Sequence, residues 1–324
     1  MFKFVIRILF SVVLISLIIT QINLESVWQI LGNAHLGWLF LSIGMNIVAL
    51  LFGVWRWQVV LQGMGVFDQK FWGLFRILMI GTFFSMFLPS SIGGDIAKVV
   101  LISPKTEHQE AAATSVLVDR IIGIAVTVGV GLIAIFFLPT LWDESILLSV
   151  ILIPSLLLLA IVLALFSQIS IHIIKHVTPL KLWQKIDSHV LKAHDSVMKL
   201  RSQPRSLLTV VAYSVFRQLA ICISIFFAGK AFQIDASITM YLLVIPFSQA
   251  ITVIPIAING IGLQDSVVVS MFYIFGIGNA EALSLSLFMH FLSNTTGIIG
   301  GIIFALSNPQ EFWIRQAKRQ QRGL

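Results

Sequence analysis

Twice along this chain a proline, two glycines and an aspartate interrupt an apolar run. The first interruption reads Phe87-Leu88-Pro89-Ser90-Ser91-Ile92-Gly93-Gly94-Asp95-Ile96-Ala97-Lys98, and the second Ile254-Pro255-Ile256-Ala257-Ile258-Asn259-Gly260-Ile261-Gly262-Leu263-Gln264-Asp265. Proline lacks an amide hydrogen and glycine tolerates turn conformations, so a helix must break at each place and leave peptide groups unpaired. If a short helix restarts near Asp95, its first amides offer an anion site and Lys98 adds a positive charge one turn later. The alternative is that Asp95 only caps that helix. The residues singled out for holding an anionic group are Pro89, Gly93, Gly94, Asp95 and Lys98 in the first interruption, and Pro255, Asn259, Gly260, Gly262 and Asp265 in the second.

Further charged residues lie in apolar surroundings. Asp119 and Arg120 begin one long run, where such a pair can fix a helix at an interface. Arg217 lies about three helical turns into another, too deep for ordinary snorkelling, so a buried or cavity-lining role is expected. Asp95, Arg120, Arg217 and Asp265 are together expected to line one polar cavity. In the last run His290, Asn294, Thr295, Thr296 and the Gly300-Gly301 pair are of the small and polar kind that glues helices together more often than it binds substrates.

No enzyme pattern rises above this background. The histidines are scattered, HExxH and paired CxxC are missing, and neither a P-loop nor a dinucleotide-binding glycine signature is present. Asp95 and Asp265 are a conceivable catalytic pair, but nothing assigns acid and base between them. The single cysteine, Cys222, lies in an apolar run, which excludes an intramolecular disulfide. No metal, cofactor or catalytic residue is expected.

The elements that must position these residues follow from composition. Of 324 residues 58% are hydrophobic and only 11% charged, with a net charge of +7, where soluble domains carry about 25% charge. The basic residues lie between apolar runs rather than on a folded face, which argues against nucleic acid. Apolar runs long enough to span a bilayer fall at about 5–19, 36–61, 112–138, 146–166, 207–232 and 282–306, a crossing needing roughly 20 helical residues. The first of these imitates a signal peptide without a cleavage pattern and reads as a retained anchor. Two further regions, 71–102 and 238–277, are the ones broken by proline and glycine.

Orientation follows from Lys and Arg, which accumulate in cytoplasmic loops. Lys3 and Arg7, then Lys70 and Arg76, then seven basic residues from Lys175 to Arg205, and finally Arg315, Lys318, Arg319 and Arg322 mark one side. Both termini are thus expected in the cytoplasm. Parity makes 71–102 a re-entrant hairpin from the cytoplasm, because its return arm is too short to span. The same parity has 238–277 enter and leave from outside, either as a re-entrant segment or as a pair of spans. Broken segments of opposite approach are what an inverted-repeat transporter shows. Apolar residues at steps of three and four over about 181–201 predict an amphipathic helix, lying on the cytoplasmic leaflet or packed on the protein itself. The expectation is one integral membrane domain over 1–307, an all-α polytopic bundle, followed by a basic cytoplasmic tail over 308–324.

At these residues the chain resembles the flippase-like integral membrane family named for the transmembrane region of lysylphosphatidylglycerol synthase. The likeness rests on Pro89, Gly93-Gly94-Asp95 and Lys98, on Asp119-Arg120, and on Pro255, Gly260, Gly262 and Asp265, and it covers nearly the whole chain. Gln264-Asp265 stand where the family's second motif ends in Arg-Glu. The resemblance implies movement of an anionic membrane lipid or a polyprenyl-phosphate-linked lipid between leaflets of the cell (inner) membrane. The synthase's soluble aminoacyl-transferring domain has no counterpart in 308–324, so lipid aminoacylation by this chain alone is not expected. Two alternatives stay open: a membrane-embedded transferase of polyprenyl-linked sugars, and a non-transporting partner of a lipid-modifying enzyme.

Overall fold

The computed structural model describes residues 24–87, 92–103, 109–138, 191–192, 194–252 and 260–307. All regular structure among them is helical. The main helices are α1 (Leu24–Gly32), α2 (Leu36–Gly63), α3 (Phe71–Phe87), α4 (Ile92–Ile102), α5 (Gln109–Ile135), α6 (Pro204–Ala231), α7 (Ile238–Ile251), α8 (Leu263–Ile274) and α9 (Asn279–Leu306). Four of them, α2, α5, α6 and α9, are long and apolar enough to cross a membrane. They match the expected spans at 36–61, 112–138, 207–232 and 282–306. The expected spans at 5–19 and 146–166 and the basic tail lie outside the described residues. Large apolar side chains such as Phe40, Trp72, Phe136 and Leu306 are exposed on the outer faces, where a hydrocarbon solvent would meet them.

Helix boundaries follow local chemistry. Pro204 opens α6, where a missing amide hydrogen costs nothing. The chain leaves α2 through Gly65 at φ +89°, and the Val66 amide donates back to the Leu61 carbonyl at 2.9 Å. The helices after α1 fall into two series of the same form. α2, α3, α4 and α5 have 28, 17, 11 and 27 residues. α6, α7, α8 and α9 have 28, 14, 12 and 28. Eleven to seventeen residues rise only about 16–25 Å, short of the roughly 30 Å hydrocarbon core, so none of these four short helices spans it alone. α2 packs chiefly on α6, α3 on α9, and α5 on α7.

Among the described residues two large apolar cores form, beside a small cluster of Val27 and Leu283. One gathers α6 to α9 with the start of α2 and the end of α5, around Ile225, Tyr241, Leu243 and Phe272. The other gathers the end of α2 with α3, α4 and the start of α5, around Trp57, Leu61, Leu74 and Ile102. Buried hydroxyls and amides bolt the long helices together. The Ser224 hydroxyl donates to the Ser42 carbonyl at 2.7 Å, Trp57 Nε1 to Ser115 Oγ at 3.0 Å, and Thr127 Oγ1 to Gln218 Oε1 at 2.9 Å. Such bonds contribute on average about 0.6 kcal/mol each in a membrane protein.

Of the helix expected over 181–201, the described residues 191–192 and 194–201 are helical. This end packs on the protein. Leu200 is fully buried against Gly63 at the end of α2, and Lys192 Nζ lies 2.9 Å from Glu110 Oε1. One buried group is left over in the first core. The Tyr241 hydroxyl, pressed against Gly229, has no hydrogen-bond partner among the described residues. An unmade buried bond costs about 1–3 kcal/mol, so Tyr241→Phe is expected to leave the thermal midpoint in detergent unchanged or raise it. A fall of several degrees would show that the hydroxyl is engaged.

Candidate functional site

The charged residues converge where the two cores meet. α2 and α6 run antiparallel, and one face of each enters the gap: Asn46, Leu50, Gly53 and Arg56 from α2, and Arg217, Ile221 and Ile225 from α6. These positions recur at steps of three and four, which puts them on one stripe of each helix. The space they enclose is a cavity of about 360 Å³. A second lobe of about 310 Å³, reached between α4, α5 and the end of α7, shares Arg56, Lys98, Asp119, Arg217, Gln249 and Thr252 with the first.

Two acidic side chains organise this junction. Asp119 takes a bidentate pair from Arg56, with Nε to Oδ1 and Nη2 to Oδ2 both at 2.7 Å, and both side chains are almost fully buried. Asp95, in the first turn of α4, accepts from Lys98 Nζ at 3.0 Å through Oδ1 and from Arg120 Nη1 through Oδ2. The adjacent residues Asp119 and Arg120 therefore serve different partners on different helices. Lys98, expected to offer a charge to an anion, is tied to Asp95.

Three glycines on neighbouring helices make room for the cations. A Cβ on Gly53 would lie 3.3 Å from Arg217 Nε, one on Gly123 2.7 Å from Arg56 Nη1, and one on Gly81 2.8 Å from Lys98 Cγ. Gly94 sits against the Gly81 carbonyl and Ser85 Oγ, so the α3–α4 hairpin closes backbone to backbone, and Gly93 is buried beside it. Arg217 differs from the other cations. It lines both lobes near Arg56 and Asp119, yet it makes no hydrogen bond or ion pair with any described residue.

The second interruption is built differently. Gly260 and Gly262 hold φ of +76° and +83°, conformations in which an L side chain is strained. The Gly262 amide donates to Asp265 Oδ2 at 2.7 Å, so the aspartate caps its own helix, α8. Its other oxygen accepts from Ser286 Oγ and from His290 Nε2, the latter at 2.9 Å. Asp265 therefore stands behind the cavity wall, with Gln264 and His290 in front of it. Asp265 and His290 are 25 residues apart, as are Asp95 and Arg120, and each aspartate lies in the first turn of a short helix that precedes a long one. Pro89, Pro255 and Asn259 lie outside the described residues.

Arg56 was not among the expected site residues. It sits only five residues from the end of the run 36–61, within snorkelling reach of the interface, so its position along the chain did not mark it as Arg217's did. Gln249 and Gln264 carry no charge and gave no signal of that kind. His290 joins α9 to α8 as helix glue, as expected, and also faces the cavity. Gly297 and Gly300 bring α9 onto Met86 and the Met79 backbone of α3.

The family described as the lysylphosphatidylglycerol synthase TM region matches residues 4–301. A relative from Pyrococcus horikoshii, the UPF0104 membrane protein PH1989, is 23% identical over 325 residues, spanning 93% of this chain and 96% of the relative. No solved structure matches. With nearly its whole length matched, the chain is a membrane protein that belongs to the family of the lysylphosphatidylglycerol synthase TM region.

Proposed function

We propose that this protein moves an anionic lipid, or a lipid-linked intermediate with a phosphate headgroup, between the leaflets of the cell membrane, acting as a transporter rather than an enzyme and without a cofactor. The observation that carries the reading is Arg217, a guanidinium that faces the cavity near Asp119 without a hydrogen bond or ion pair to any described residue. A charge at that depth is costly unless something neutralises it. A phosphate presents oxygens that suit a guanidinium fork. Headgroups cross bare hydrocarbon slowly because their charge must be desolvated, so a polar cavity between two apolar cores supplies the interactions lost from water. The lipid's tails stay in the bilayer.

In this reading the termini are cytoplasmic, and α2–α5 and α6–α9 form an inverted repeat whose broken elements approach the cavity from opposite sides. The matching order of helix lengths, the reciprocal packing of α3 on α9 and α5 on α7, and the two aspartates paired 25 residues onward support it.

The test is reconstitution. Purified protein in liposomes is expected to speed exposure of a labelled anionic lipid to an impermeant quencher. Arg217→Ala is expected to slow that exposure roughly tenfold at equal reconstitution, the worth of one hydrogen bond to a charged group. The same change removes a cation that makes no hydrogen bond or ion pair with a described residue, so the thermal midpoint should hold or rise. No acceleration over empty liposomes with folded protein, across phosphatidylglycerol and polyprenyl phosphate, would turn the reading to a transferase or a non-transporting partner.

A further inference from the structure

We infer that the headgroup seated in this cavity is a phosphate bearing a neutral polyhydroxylated group, a glycerol or a sugar, rather than a bare phosphate or an ammonium-bearing headgroup. The inference rests on the translocation reading above and sharpens it.

The two lobes differ in chemistry. The formal charges lie at the junction, in Arg56, Lys98, Asp119 and Arg217, and in the second lobe, where Asp95 and Arg120 are added. Beyond the junction the first lobe carries no Asp, Glu, Lys or Arg among the described residues. Besides His290, which is held by Asp265, it presents Asn46, Gln264 and Ser293, with Gln249 beside the junction. None of these four side chains makes a hydrogen bond to a described residue, although they come from four helices, α2, α9, α7 and α8. Unmatched amides at membrane depth are costly, so a cavity that keeps several of them open is built to receive a partner or water.

The partner's chemistry follows from what an amide does. Asn and Gln donate through NH₂ and accept through the carbonyl oxygen, and a hydroxyl likewise does both. Phosphate oxygens at neutral pH chiefly accept, and an ammonium only donates. An ammonium would also need a free carboxylate or an aromatic face. Asp119 is taken in two places by Arg56, Asp265 is taken by Gly262, Ser286 and His290, and no Phe, Tyr or Trp lines the lobe among the described residues. Size agrees as well. From Asn46 to Arg56 the cavity follows α2 for about 15 Å of rise, and 360 Å³ falls in the range of roughly 300–1,000 Å³ typical of small-ligand pockets, more than a phosphate would fill.

The test measures binding apart from transport. The full chain in detergent is titrated with short-chain phosphatidylinositol, phosphatidylglycerol, phosphatidic acid and phosphatidylethanolamine. Phosphatidylinositol and phosphatidylglycerol are expected to bind roughly tenfold more tightly than phosphatidic acid, one or two neutral hydrogen bonds' worth, with phosphatidylethanolamine weakest. Gln264→Leu, and independently Asn46→Leu, should bring the phosphatidylinositol affinity down to that for phosphatidic acid while the protein stays folded, since each removes an unmatched amide. Soluble inositol phosphate should bind more weakly than the lipid; equal or tighter binding would overturn the assignment to a lipid. Phosphatidic acid or phosphatidylethanolamine binding as well as phosphatidylinositol, or no binding of any probe, would overturn the inference. Binding in the expected order with no acceleration in liposomes would instead sink the translocation reading and leave the headgroup assignment standing.

Discussion

Arg56→Met is expected to lower the thermal midpoint of the detergent-solubilised protein by roughly 6–20 °C. Arg56 and Asp119 form a bidentate pair with side chains only 8% and 14% exposed, and removing one member of a buried pair costs about 3–5 kcal/mol because the other is stranded. For a chain of this size each kcal/mol moves the midpoint by about 2–4 °C. Arg217 lies close enough to Asp119 to offer partial compensation, which favours the lower part of the range. Arg56→Met with Asp119→Leu should recover at least half of the loss, since apolar replacements of a buried pair are often neutral or stabilising. The pair also forms the junction of the two lobes, so the double variant should be stable and still defective in lipid movement. If the double variant is no more stable than the single one, the pair is not an isolated structural unit and the cycle fails.

Gly300→Ala and Gly129→Ala, the same chemical change in two long helices, are expected to act in opposite directions. A Cβ on Gly300 would run into the carbonyl group of Met79, which belongs to the backbone of α3 and cannot rotate away. A Cβ on Gly129 meets nothing within 4 Å. Crowding of a packed interface typically costs about 1–3 kcal/mol, and more where backbone must move. Alanine in place of glycine in a free helical position stabilises by about 0.5–1 kcal/mol. Gly300→Ala should therefore lower the midpoint by several degrees and Gly129→Ala should hold or raise it. Because α3 supplies Thr82 and α9 supplies His290 and Ser293 to the cavity, separating these helices should also weaken lipid binding. A neutral Gly300→Ala would show that α9 is free to slide on α3.

How far the amino-acid sequence determines this protein can be traced residue by residue. An apolar run of about 20 residues has only one solvent in which its helix is comfortable, so the spans at 36–61, 112–138, 207–232 and 282–306 follow from composition alone. The breaks before Asp95 and before Asp265 are equally local, since proline removes a donor and glycine permits turns wherever they occur. Arg217 is legible as an ionisable group at depth, whereas Arg56, five residues from the end of its run, reads as an arginine within snorkelling reach. Which partner each charge takes is another matter. Asp119 pairs with Arg56, 63 residues away, and Arg120 reaches Asp95, 25 residues away. Adjacent helical residues point about 100° apart, so neighbours in sequence face different helices, and only the packing of α2, α4 and α5 decides which side chains they meet. Asp265 reads from the sequence as a twin of Asp95, yet its carboxylate is consumed by Gly262, Ser286 and His290 and stands behind the wall. Uncharged Asn46, Gln249 and Ser293 carry no signal along the chain, and Gln264 shows there only as a departure from the family's Arg-Glu. Their meaning arises from four helices turning them toward one space and leaving their side chains without a hydrogen bond to any described residue, a property of the assembled bundle that no single stretch of sequence contains.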